Sequence, residues 1–195
     1  MSYITSSIET LKKVRLIKGF STPPCVESVE SYDDIITTLT ECFLVAKKNR
    51  NMIFFIGNGG SAAISMHMTV DFLKNGGMRT HGMHDPAVLT CLGNDYGYEH
   101  VFDKQIEMIA KSNDVLAAVS SSGESPNILN AVHSARKIGC AIITLSGFKA
   151  ENSLSRLGDL NIHVPSMNYG TVESIHNMIL QDVVDEIKRI SEGGI

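Results

Sequence analysis

The chain has 195 residues, 43% apolar and 19% charged, with a formal net charge of -4; this suits one domain, residues 1–195, with an ample core. No Lys/Arg cluster offers a footprint for nucleic acid, and no apolar run approaches the roughly 20 residues of a membrane helix. The start MSYITSSIETLKKVRLIKGF shows no signal-peptide h-region followed by a small-residue cleavage site, and Cys25, Cys42, Cys91 and Cys140 show no CxxC spacing, so they read as reduced thiols, an expectation that favours the cytoplasm.

Residues 1–50 read as a helical N-terminal extension. Apolar residues from about 3 to 17 fall at mixed helical spacing, and Pro23-Pro24 breaks the chain. Ser31 and Asp34 resemble a capping box before the helical run Ile35, Ile36, Leu39, Phe43 and Ala46, which Lys47, Lys48 and Arg50 close.

Residues 51–190 read as an α/β core. Met52-Ile53-Phe54-Phe55-Ile56 is a continuous apolar run, as a parallel strand covered on both faces requires. A glycine turn and a helix follow it. The pattern returns at Val115 to Val119, before a serine loop and a helix, and at Ala141 to Leu145 before Ser146-Gly147. Leu160 to Val164 is a shorter strand ended by Pro165, and about Thr171 to Ile190 is a helix. Alternating strand and helix predicts an open three-layer α/β sandwich with right-handed crossovers, Rossmann- or flavodoxin-like.

Ligands of such sheets bind at the carboxyl ends of the strands. Two of those ends carry loops suited to an anion. Gly57-Asn58-Gly59-Gly60-Ser61 lets the backbone approach a ligand at a helix N-terminus. Read loosely, Gly57-x-Gly59-x-x-Ala62 also fits a dinucleotide fingerprint, but no acidic residue lies at the required distance, Asp85 being late. In Ser120-Ser121-Ser122-Gly123-Glu124-Ser125-Pro126, Ser125 stands as N-cap and Pro126 as N1. The row of hydroxyls with the helix N–H groups suits three phosphate oxygens; the bland alternative is a serine-rich turn with a good cap. The two loops together favour a phosphate ester.

His67 and Asp71 lie four residues apart, on one face of the helix after the glycine loop. An imidazole and a carboxylate at this spacing can form half of a zinc site; the alternative is a partly buried His–Asp pair. His81, His84, His133 and His163 read as structural or solvated, with His100 kept as a reserve candidate. Met66, Met68 and Met78 read as core filling.

The two loops, with Ile143-Thr144-Leu145-Ser146-Gly147 and Leu92-Gly93-Asn94-Asp95-Tyr96-Gly97-Tyr98, resemble the sugar-isomerase (SIS) domain phosphoheptose isomerases over nearly the whole chain. The resemblance implies a five-stranded parallel sheet flanked by helices, in a homotetramer. It implies an isomerase of sedoheptulose 7-phosphate and glycero-manno-heptose 7-phosphate, in heptose synthesis for surface polysaccharide, with bound zinc. Phosphate would sit on Gly59, Gly60, Ser61, Ser120, Ser121, Ser122 and Ser125, with Asn58 and Asp95 near the sugar. The metal would lie on His67, Asp71, Glu173 and Gln181, with Asp71 as base.

Three departures accompany the resemblance. The family has Glu where Asp71 stands, Gln where Glu173 stands, and His where Gln181 stands. His176, three residues after Glu173, is the candidate to replace the missing imidazole, or else packs in a subunit interface. Eight helical residues rise about 12 Å, so Glu173 and Gln181 on one helix reach a single ion poorly. A site shared between subunits relieves this. SIS domains also occur as non-catalytic phosphosugar-binding adaptors and regulators, the alternative reading for a chain with these departures.

Overall fold

The computed structural model describes residues 2–19, 27–29 and 31–193, with the backbone alone for Glu27 and Ser28. The expected break at Pro23-Pro24 and the thiol of Cys25 lie outside these residues.

Helix α1 (Tyr3–Leu11) is followed by two short strands, β1 (Arg15–Lys18) and β2 (Glu27–Val29), and by α2 (Tyr32–Asn49). Ser31 occupies the N-cap position of α2, but its hydroxyl makes no capping bond, so the expected capping box does not form. Then come β3 (Met52–Ile56), α3 (Gly60–Lys74), β4 (Arg79–Gly82), α4 (Pro86–Tyr96), a 3-10 turn (Tyr98–His100) and α5 (Asp103–Ile109). The chain continues with β5 (Val115–Ser120), α6 (Pro126–Ile138), β6 (Ala141–Gly147), β7 (Leu160–Val164) and α7 (Tyr169–Ser191).

The strands form one sheet in the order β2-β1-β7-β6-β5-β3-β4. The five strands from β7 to β4 are parallel, as expected, while β1 lies antiparallel on β7 and β2 antiparallel on β1. The helical reading of residues 1–50 is therefore corrected. Val14 and Leu16 are buried and Arg15 between them is exposed, a period of two that a strand satisfies and a helix does not. Pairing β1 along β7 also covers a row of backbone groups that an edge strand would leave open.

Alternation along the central strands divides the core. Ile53, Phe55, Ala117, Val119, Ile143 and Leu145 pack with residues of α2, α3 and α7 on one face. Phe54, Ile56, Leu116, Ala118 and Ile142 pack with residues of α4, α5 and α6 on the other. Both faces are covered, which is why these strands are apolar throughout. Every crossover brings its strand's carboxyl end to the same edge of the sheet, and both candidate loops lie there.

Candidate active site

Strands β3 and β5 are neighbours, with Ile56 opposite Ala118. The glycine loop that follows β3 and the serine loop that follows β5 are thus side by side. They enclose one hollow of about 230 Å³. Asn58, Gly59, Gly60 and Ser61 line it from the first loop, Ser120, Ser121, Ser122 and Ser125 from the second, and Tyr169 and Glu173 from α7. Helices α3 and α6 both begin at its wall, and their free N–H groups and dipoles favour an anion. None of the described residues lining it is Lys or Arg. The attraction comes from amides, hydroxyls and helix ends.

The hydroxyls are differently employed. Ser120 Oγ accepts from the Gly123 N–H at 3.2 Å, and Ser122 Oγ from the Glu124 N–H at 3.3 Å. Ser121 Oγ is buried, with no hydrogen-bond partner among the described residues. Ser125 and Pro126 take the N-cap and N1 positions of α6, as expected, but the Ser125 hydroxyl makes no capping bond. The hydroxyls of Ser121 and Ser125, both in the wall of the hollow, are therefore not committed to the fold among the described residues.

The two loops are tied together by a reciprocal amide pair. Asn58 Nδ2 donates to Asn127 Oδ1 and Asn127 Nδ2 donates to Asn58 Oδ1, both at 2.9 Å. The Tyr98 hydroxyl donates to Asn58 Oδ1 at 3.0 Å. Sequence reasoning singled out Asn58 but missed Asn127, which reads only as a helix N2 residue, and the role of Tyr98. His84 Nε2–H donates to the Gly57 carbonyl at 2.9 Å, so it braces the same loop. Burial holds its pKa below the ordinary value, and Nδ1 is left as a bare acceptor.

Comparison with known proteins gives the family of the chain that carries this hollow. Residues 24–147 match the SIS domain family. Phosphoheptose isomerase from Aliarcobacter butzleri is 34% identical over 154 residues, covering 76% of this chain and 81% of the relative. The chain belongs to the phosphoheptose isomerase family of SIS-domain proteins. The structure of the Neisseria gonorrhoeae phosphoheptose isomerase superposes with a TM-score of 0.73 at 30% identity, covering 79% of this chain and 85% of that one. The phosphoheptose isomerase from Francisella tularensis superposes with a TM-score of 0.79 at 26% identity, covering 96% of this chain and 95% of that one.

The phosphoheptose isomerase positions expected to hold a metal are not gathered within one chain. His67 and Asp71 meet each other on α3, Nε2 to Oδ2 at 3.3 Å, and Asn75 donates to Asp71 Oδ1 at 3.3 Å. Neither residue lines the hollow. Glu173 does: a Cβ on Gly60 would collide with its carboxylate, so only glycine lets that carboxylate lie against the start of α3. Gln181 is two turns further along α7 and donates to Asp185 Oδ1 at 3.4 Å. Among the described residues, no three His, Cys, Asp or Glu side chains converge as a metal site requires. The residues of a single chain do not fit the ion. Asp95 also stands apart, exposed, with its carboxylate accepting from Asn94 and from the Cys91 thiol.

His176 does not replace the missing imidazole. It is fully buried, and its Nε2–H donates to the Ser146 carbonyl at 3.0 Å. A residue three along from Glu173 is rotated about 60° from it, and this carries His176 onto the stripe of Val172, Ile175, Ile179 and Val183 that faces the core. Burial, the largest influence, lowers its pKa from the ordinary 6.5 to about 4.

The unfolded chain therefore binds a proton at this site between pH 6.5 and 4 that the folded chain refuses. The stabilisation is full above pH 6.5 and is lost as the pH falls through that window, by about 3 kcal/mol at this one site. Urea denaturation at pH 7 and pH 4.5 should show a smaller acid loss in His176→Gln than in the parent chain. Equal losses would contradict a neutral buried imidazole.

Proposed function

We propose that this chain interconverts sedoheptulose 7-phosphate and glycero-manno-heptose 7-phosphate, supplying heptose for surface polysaccharide. The observation that carries the reading is the single hollow between two adjacent strand ends, with open hydroxyls and helix N–H groups on its wall and a carboxylate at its margin. A phosphoryl group in that hollow leaves the reacting end of the sugar to lie near Glu173. In the isomerisation, the base takes a proton from C1 of the ketose and returns it to C2, while a hydroxyl proton passes from O1 to O2. Asp71 is our base, and Gln181 orients a water or a sugar hydroxyl.

A second copy of the chain completes this site in our reading. Met66, Val70 and Leu73 are 41%, 54% and 54% exposed. They form a stripe along α3 beside His67, which is 53% exposed at its side chain. Apolar side chains in a contiguous row favour burial against a partner. Such a contact, within a homotetramer, brings His67 and Asp71 of one protomer towards Glu173 and Gln181 of another. A divalent ion, zinc in this reading, held by those four residues would supply Lewis acidity at the sugar oxygens. Cys42, Cys91 and Cys140 are free thiols, consistent with the reducing cytoplasm, and none of the described helices is long and apolar enough to cross a membrane.

The second reading is a phosphosugar-binding adaptor without turnover. Gln181 favours it, because an amide cannot donate a proton as imidazolium does. Proton NMR of the protein with sedoheptulose 7-phosphate separates the two. Growth of the aldose anomeric signal supports the isomerase. Tight binding without aldose supports the adaptor.

A further inference from the structure

Beside the phosphate hollow lies a second one of about 290 Å³, lined by Asn58, Tyr98, Glu99, Ser125, Pro126 and Asn127. The two hollows share Asn58 and Ser125. We infer that the second hollow receives the middle hydroxyls of the sugar chain, with Glu99 as the residue that recognises them. This deepens the isomerase reading and rests on it.

Substrate shape makes the first argument. The phosphate hollow also holds the Glu173 carboxylate, near which the reacting C1–C2 end must lie if α7 takes part. A seven-carbon chain with its phosphate and its far carbons both near one hollow has to bend. Its middle hydroxyls then need a polar recess alongside, and this is the recess that shares a wall with the cradle.

The polar groups in the second hollow make the second argument. Asn58, the residue expected near the sugar, has its Oδ1 already filled by Asn127 and Tyr98 and one amide N–H used by Asn127. It serves as a brace, not as an acceptor for hydroxyls. Glu99 is different. Its backbone carbonyl accepts from Asn130 at 2.9 Å, but among the described residues its carboxylate has no hydrogen-bond or ion-pair partner. The side chain is folded back over Gly97, where a Cβ would come within 2.8 Å of Oε2. Gly97, at a φ of 93°, thus keeps open the place the carboxylate occupies.

An open carboxylate accepts from two adjacent hydroxyls and rejects a phosphate. With the helix ends favouring phosphate on one side and Glu99 repelling it on the other, the pair of hollows also sets the direction in which the substrate lies.

Calorimetric titrations with inorganic phosphate, glycerol 3-phosphate and sedoheptulose 7-phosphate test this on the full chain. Glu99→Gln keeps the shape and removes the charge. It should weaken sedoheptulose 7-phosphate by about tenfold or more, as the loss of hydrogen bonds to a charged acceptor does, and Glu99→Ala should do the same. Phosphate and glycerol 3-phosphate, which lack the middle carbons of the heptose, should bind both variants as they bind the parent. Unchanged affinity for the seven-carbon sugar, or an equal loss for all three ligands, would overturn the assignment. If the parent chain binds phosphate and sugar phosphate equally, the second hollow recognises nothing and only the cradle stands. If it binds none of them, the isomerase reading itself fails.

Discussion

Replacing Ser121 and Ser125 together with alanine should lower the affinity for sedoheptulose 7-phosphate by about a hundredfold or more, at almost no loss of stability. The two halves of this expectation have one cause. Among the described residues neither hydroxyl is committed to the fold: Ser121 Oγ is buried without a hydrogen-bond partner, and Ser125 sits at an N-cap without capping. A buried hydroxyl without a partner costs stability, so its removal is neutral or slightly favourable. Each hydroxyl bonded to a phosphate dianion contributes about 1.5–3 kcal/mol, and two of them reach the hundredfold range. Ser120→Ala is a poorer probe, since its Oγ also holds the Gly123 N–H. The comparison to make is denaturant midpoint against calorimetric affinity for the same double variant. A lower midpoint with intact binding would assign these hydroxyls to the fold and remove them from the ligand.

The second large effect concerns the shared site. Asp71→Ala and Glu173→Ala should each reduce turnover by about a thousandfold or more, as loss of a base or of a charged positioning group does. Mixing the two inactive proteins, after mild dissociation and reassembly, should restore activity to a substantial fraction of the parent's. The reason is geometric. Asp71 is held on α3 by His67 and Asn75, away from the hollow that Glu173 lines, and three metal-binding side chains do not meet in one chain among the described residues. If the site draws α3 from one protomer and α7 from another, some interfaces in the mixed assembly carry both replacements and others carry neither. The latter are whole. Recovery of nothing, in mixed assemblies whose exchange is verified by mass, would place both residues in one protomer's site or outside it.

Much of this arrangement is legible in the sequence. Strands buried on both faces announce themselves as runs such as Met52 to Ile56, because no position in them meets water. Glycines and serines directly after such runs mark the ligand edge of a parallel sheet. What escaped was whatever depends on distant partners. Arg15–Lys18 is too short for its alternation to stand out in the sequence, and it becomes a strand because it pairs along β7. Asn127 pairs with a residue 69 positions earlier, and nothing local signals the pairing. The burial of His176 follows from the stripe that α7 turns to the core, which the three-residue spacing from Glu173 conceals. Ser31 and Ser125 show the converse: a residue type suited to capping stands in the capping position and does not cap.

The claim beneath the rest is that the glycine loop and the serine loop jointly hold one phosphoryl group. Backbone amide NMR during titration with sedoheptulose 7-phosphate, and then with inorganic phosphate, tests it directly. Both ligands should produce their largest shifts in the amides of residues 59–61 and 121–125, together and with one affinity. Shifts confined to one of the two loops, or centred on the opposite end of the sheet around Cys42 and Cys140, would contradict it.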